Sequence, residues 1–130
     1  MISLKIVTPR GVYREQDVRS VHLRSSLGEF TILPGHMPII TDIVPCQLRV
    51  VDEGGQQLDF ALSGGFMQFD KDQMLILADA IEGRGEIDLE RAKAAYQRAR
   101  ERLDKKDSAT NMRRAELSLQ RAINRIHVHG

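Results

Sequence analysis

The chain has one cysteine, Cys46, which excludes a disulfide framework and a thiolate zinc site and favours a reducing compartment. No apolar run approaches the roughly 18 residues of a membrane span, so any membrane association has to go through partners. The opening residues, Met1-Ile2-Ser3-Leu4-Lys5-Ile6-Val7, lack a basic segment followed by a long apolar one, and no signal peptide is expected. Catalytic patterns are missing too. There is no phosphate-cradling Gly-x-x-x-x-Gly-Lys-Ser/Thr, and Ser63 in Ser63-Gly64-Gly65 does not sit in a Gly-x-Ser-x-Gly elbow. His36 has no carboxylate, serine or cysteine partner at motif spacing. His127-Val128-His129 offers two imidazoles but no third ligand nearby, which reads as a frayed tail and not as a metal clip. Nucleophile, base and oxyanion donors do not assemble, so the chain reads as a non-enzyme without a metal site.

What is present is a division of charge. Residues 1–86 hold 8 Lys and Arg against 12 Asp and Glu, a net −4, whereas residues 87–130 hold 11 against 6, a net +5. The overall +1 hides this split. A basic arm on an acidic body suits contact with something anionic: nucleotide phosphates, an acidic protein surface or nucleic acid. Nucleic acid fits least, because Tyr96 is the arm's only aromatic and its arginines are interleaved with Glu and Asp.

The first 86 residues alternate like antiparallel strands. Ile2, Leu4 and Ile6 point one way, Val18–Leu23 alternates more weakly, and Gln47–Asp52 runs through Gly54-Gly55 into Leu58–Leu62. Phe66–Phe69 and Met74–Leu77 flank an Asp70-Lys71-Asp72 turn. Short strands at this spacing predict a flattened antiparallel β-sandwich or barrel, and no helix interrupts them to make a parallel βαβ unit. Gly28–Thr41 does not alternate. Pro34-Gly35 marks a tight turn and Pro38 removes a ladder donor, giving a stiff loop. That loop either closes the sandwich or docks a partner through Met37, Ile39 and Ile40.

Residues 87–130 read as an antiparallel helical hairpin, so the fold class is α+β. Asp88 is an N-cap with Glu90 in the first turn, and Leu89, Ala92, Ala95/Tyr96, Ala99 and Leu103 form one stripe. The pattern breaks over Asp104–Asn111, where Ser108, Thr110 and Asn111 are candidate caps. Met112, Ala115, Leu119, Ala122/Ile123 and Ile126 then make a narrow seam. Alanines bury little area, so the pair is expected to be only a few kcal/mol from opening. Opened, roughly 40 residues at about 1.5 Å each reach on the order of 60 Å. Arg91 and Arg98 share a face of the first helix, and Arg121 and Arg125 share one on the second. Spacing alone leaves two readings, a solvated charged surface or a convergent anion pocket.

The chain contains Val7-Thr8-Pro9, Gly28-Glu29-Phe30-Thr31-Ile32-Leu33-Pro34-Gly35-His36-Met37-Pro38, Ser63-Gly64-Gly65-Phe66, Leu75-Ile76-Leu77-Ala78, Ile87-Asp88-Leu89-Glu90-Arg91-Ala92 and Arg113-Arg114-Ala115-Glu116-Leu117. Over nearly its full length the chain resembles the epsilon subunit of bacterial rotary (F-type) ATP synthases. The resemblance implies a β-sandwich domain over 1–86 and a regulatory helical domain over 87–130. It implies a central-stalk position, with the sandwich bound to the gamma subunit and touching the c-ring through a loop containing Glu29, Leu33, Pro34, Gly35, His36, Met37 and Pro38. It also implies an arm that inhibits ATP hydrolysis when extended toward the alpha and beta subunits and permits it when folded. In some bacterial members the folded arm binds ATP. Carried over, that site uses Glu82, Ile87, Asp88, Arg91 and Ala92, with Arg98, Arg121 and Arg125 on the phosphates. This favours the anion pocket, with ATP as a regulatory ligand of open Mg2+ dependence and no required cofactor. The implied location is the cytoplasmic face of the bacterial membrane, peripheral. A stand-alone nucleotide sensor is the second reading and a nucleic-acid adaptor the third. Two glycines in the joint Gly83-Arg84-Gly85-Glu86 raise the entropy lost on ordering it.

Overall fold

A computed structural model describes the backbone of residues 1–104 and 109–130, and the side chains of all of these except 109–111. Nine strands come first: β1 (Ile2–Thr8), β2 (Gly11–Ser25), β3 (Gly28–Ile32), β4 (Ile39–Ile43), β5 (Cys46–Asp52), β6 (Gln57–Leu62), β7 (Gly65–Asp70), β8 (Gln73–Ala78) and β9 (Ile81–Gly83). A single 3-10 turn, Arg84–Glu86, leads into the helices α1 (Leu89–Asp104) and α2 (Ala109–His129). The caps expected at Ser108, Thr110 and Asn111 lie outside the described side chains.

The strands follow one path, β4-β7-β8-β1-β2-β5-β6-β9, with β3 added beside β2. The 15-residue β2 belongs to both layers: its first half pairs with β1 and its second half with β3 and β5. At the open edge the Val44 N–H donates to the Arg24 carbonyl (3.2 Å), drawing β4 toward β2. The inward residues are the alternating set expected: Ile2, Leu4 and Ile6 on β1, Leu48 and Val50 on β5, Met67 and Phe69 on β7, Met74 and Ile76 on β8. Cys46 joins this core, and burial pushes its thiol up, as befits an inert packing residue.

Three features differ from expectation. β1 and β8 pair in parallel, Leu4 beside Met74 and Ile6 beside Ile76, so the sheet is not wholly antiparallel. This needs no crossover helix, because the other strands already carry the chain around between them. Gly28–Thr41 is not one loop. Its ends form β3 and β4, and residues 33–38 alone connect them. Finally, the C-terminus is docked and not frayed. Val128 is fully buried against Ala61 and Ile87, so the last helical turn has an apolar seat. That seat also explains β6, where Phe60, Ala61 and Leu62 are buried in succession. One face meets the core and the other meets α2.

The helices pack antiparallel on each other, and α2 lies on β5 and β6. The fully buried seam residues are Ala92 and Ala99 on α1, and Ala115 and Ala122 on α2. Each pair is seven apart, a heptad of small residues that lets the backbones approach closely. The larger seam residues Leu89, Leu103, Met112, Leu119 and Ile126 are half-buried at its margins, and Ile123 is exposed.

Candidate functional site

A cleft of about 800 Å³ opens where the helices leave the sandwich. Its walls come from the β1–β2 hairpin (Thr8–Tyr13), the segment Asp79–Glu82, the start of α1 and one residue of α2. Of the predicted nucleotide residues, Glu82, Asp88, Arg91, Ala92, Arg98 and Arg125 line it. Asp88 starts the helix that carries three of them: its Oδ1 accepts from the Arg91 N–H (3.1 Å) and its carbonyl from the Ala92 N–H (3.0 Å). Arg91 and Arg98 then fall on one face by helical spacing. Among the described residues their guanidinium groups have no ion-pair partner.

Two predicted residues sit elsewhere. Ile87 is buried with Ala61 and Val128, where it seats the helix pair and does not face the cleft. Arg121 turns to the sandwich: its Nε donates to the Ser63 carbonyl (3.2 Å), and its Nη2 lies 3.8 Å from Asp79 Oδ2. Arg125 both lines the cleft and anchors α2. It donates through Nε to Glu82 Oε1 (2.7 Å) and through Nη2 to Ser63 Oγ (3.3 Å). Convergence of four arginines is therefore three arginines at the cleft and a fourth one step behind, held by the same serine.

Sequence reasoning missed six contributors, among them the rim acids Asp79 and Glu86. Tyr13 donates its hydroxyl to Glu86 Oε1, the same oxygen that accepts the Gly83 N–H (3.0 Å). Burial first, and the Glu86 carboxylate second, push the Tyr13 hydroxyl up to about 12. Arg84 clamps the joint. Its Nε donates to the Val128 carbonyl (2.8 Å) at the end of α2, and its Nη2 lies 3.3 Å from Asp59 Oδ2. Asn124 donates through Nδ2 to the carbonyls of Cys46 (2.7 Å) and Leu62 (3.3 Å). Arg10 adds a cation to the cleft rim. The rim thus carries four cations, Arg10, Arg91, Arg98 and Arg125, and four acids, Asp79, Glu82, Glu86 and Asp88.

The predicted docking loop lies on a different surface. Pro34-Gly35 makes a tight turn closed by the His36 N–H to the Leu33 carbonyl (3.1 Å), with Gly35 at φ +83. The Gly35 N–H donates to Asp72 Oδ1 (2.7 Å), and the His36 ring meets Phe69 edge-on at 5.8 Å. A rigid turn thereby presents Leu33, Met37 and Ile40 outward, while Ile39 turns in against the core. The apolar surface continues to Phe66 and Leu77, an exposed cross-strand pair. Glu29 is exposed on β3, with Oε1 3.9 Å from His22 Nε2.

Fold and cleft define a class: a β-sandwich carrying a helical hairpin folded back onto it, with a cleft at the joint lined by arginines and carboxylates in equal number. Known proteins of that build match closely. Residues 1–84 match the family of the ATP synthase delta/epsilon chain, beta-sandwich domain, and residues 86–130 match its long alpha-helix domain. The ATP synthase epsilon chain of Bacillus velezensis is 43% identical over 129 residues, covering 99% of this chain and 97% of that one. That of Desulforamulus reducens is 44% identical over 123 residues, covering 95% and 92%. A chain in the Euglena gracilis mitochondrial ATP synthase (OSCP/F1/c-ring) superposes with a TM-score of 0.81 at 26% identity, over 92% of this chain and 75% of that one. The chain belongs to the ATP synthase delta/epsilon family and groups with its epsilon chains. Among the described residues, no helix is long and apolar enough to cross a membrane.

Proposed function

We propose that this chain is a non-catalytic rotor subunit whose helical arm regulates ATP hydrolysis and is held folded by a nucleotide. The sandwich domain, 1–86, docks on gamma and the c-ring. The rigid turn at Leu33–Pro38, with Glu29 beside it, serves the rotor contact. The arm, 87–130, is the regulator and meets the alpha and beta subunits when it extends. The subunit then sits peripherally at the cytoplasmic face of a bacterial membrane, attached only through its partners.

One observation carries the nucleotide reading. α2 packs on the sandwich, but α1 packs on α2, and the space between α1 and the sandwich is the cleft. An anionic ligand there joins α1 to the body and neutralises Arg91 and Arg98. If it binds the folded arm alone it stabilises that state by about 2.7 kcal/mol at 100 times its Kd. That is enough to set a switch whose own gap is small.

Calorimetric titration with ATP, ADP and GTP, with and without Mg2+, is the direct test. Arg91→Ala should weaken ATP binding by about 1.5–3 kcal/mol while leaving the fold intact. No heat from millimolar ATP on the wild type removes the sensor role and leaves the stalk role standing. The stalk role has its own test in the assembled motor. Cross-linking the arm shut should change hydrolysis wherever deleting the arm speeds it.

A further inference from the structure

The cleft balances four cations against four acids, and three of those acids have a structural task within the wall. Glu82 pairs with Arg125, Glu86 accepts from Tyr13 and from the Gly83 amide, and Asp88 caps α1. Asp79 differs. Its side chain is 63% exposed, and among the described residues its only partner is Arg121, at 3.8 Å. It lies in the bend between β8 and β9, where its backbone holds it through the Asp79 N–H to the Gly64 carbonyl (2.9 Å), so the carboxylate is not needed to keep it there. Arg121 and Arg125 both bond Ser63, which puts the Asp79 charge at the arginine end of the cleft.

Resting on the nucleotide reading above, we infer that Asp79 is an internal competitor that sets the affinity of the cleft for phosphates. Its carboxylate occupies Arg121 in the free protein and opposes an incoming polyanion through space. It thereby keeps the cleft formally neutral where it would otherwise be cationic. Nucleotide binding has to displace or outweigh this charge, so affinity is weakened in proportion to the number of phosphates. A residue that tunes affinity without touching the base or ribose lets the folded arm respond to concentrated nucleotide and ignore dilute nucleotide.

The test compares wild type, Asp79→Asn and Asp79→Glu by calorimetry with ATP, ADP and AMP at low and high salt. Asp79→Asn should tighten ATP binding by about three- to tenfold at low salt, ADP by less and AMP scarcely at all. The gain should shrink as salt screens it, and Asp79→Glu should stay near wild type. An Asn variant that binds ATP no tighter than a binding-competent wild type overturns the competitor role alone. Equal tightening for all three nucleotides also overturns it, because a change in arm packing, and not charge, is then responsible. If neither protein binds ATP at millimolar concentration, the nucleotide reading falls and this inference falls with it.

Discussion

The sandwich and the helix pair are built from opposite materials. The sandwich buries Phe69, Met67, Leu4, Ile76 and other large side chains completely, each contributing about 1.5–3 kcal/mol. The helix seam buries four alanines, each contributing about one methylene's worth, 0.8 kcal/mol or so. What holds the pair on the body is Val128 in its small seat and a row of polar bonds: Arg84 to Val128, Arg121 to Ser63, Asn124 to Cys46 and Leu62, Arg125 to Glu82. A core held by shape has no substitute partner. Bonds to carbonyls and carboxylates can be exchanged for water, a phosphate or another protein at modest net cost. One region is therefore held by shape, and the other by polar bonds that have substitutes.

The largest expected effect is on the sandwich. Gly65 starts β7 at φ +145, and a Cβ there would lie 2.0 Å from the Leu77 carbonyl oxygen. Gly65→Ala must force β7 from β8, and we expect a loss of about 4 kcal/mol or more, read as a collapsed urea midpoint or failure to fold. A normal midpoint would mean the sandwich is not held by shape. In the seam, Ala99→Leu should cost about 1–3 kcal/mol by prising the helices apart. That cost should appear as faster hydrogen exchange in α1 and α2 with the strands unchanged. If the strands also lose protection, the two regions are one cooperative unit and the contrast fails. Arg84→Ala should cost less, about 0.5–1.5 kcal/mol, because its guanidinium is half exposed. Its effect should be confined to exchange in the last turns of α2, and pairing it with Asp59→Asn in a double-mutant cycle sharpens the assignment.

The same contrast explains what was legible in the sequence. Alternation at Ile2, Leu4 and Ile6 and the seven-residue repeat of alanines are local signals, and both describe the structure. Arg91 and Arg98 meet the cleft because helical spacing alone puts them on one face. The parallel pairing of β1 with β8 joins segments about 70 residues apart, and no pattern within either strand specifies it. Arg84 bonds a carbonyl 44 residues away and Tyr13 a carboxylate 73 residues away, so the joint reads as loose in sequence and is clamped in the fold. Val128 between two histidines looks like a tail until β6 supplies its seat. Arg121 illustrates the limit of spacing. It shares a helix face with Arg125, yet the nearest acceptor, the Ser63 carbonyl, decides where its side chain points.

The smallest effect lies at the boundary, where Tyr13 ties β2 of the sandwich to the joint through Glu86. Its hydroxyl is pushed from 10.0 up to about 12, so the folded state holds this proton more tightly than the unfolded chain does. The resulting stability is fully present below about pH 10 and is lost as pH rises through about 12. Tyr13 is half-buried, so solvent keeps the contribution small. The chain has two tyrosines and no tryptophan, which makes the readout clean. In a Tyr96→Phe background the phenolate absorbance reports Tyr13 alone, and its midpoint should fall near 12 and not near 10. Glu86→Gln should lower that midpoint by removing the carboxylate, but only partly, because burial is the larger cause. A midpoint near 10 in the parent protein would mean that the hydroxyl is free in solution and that this tie between β2 and the joint does not form.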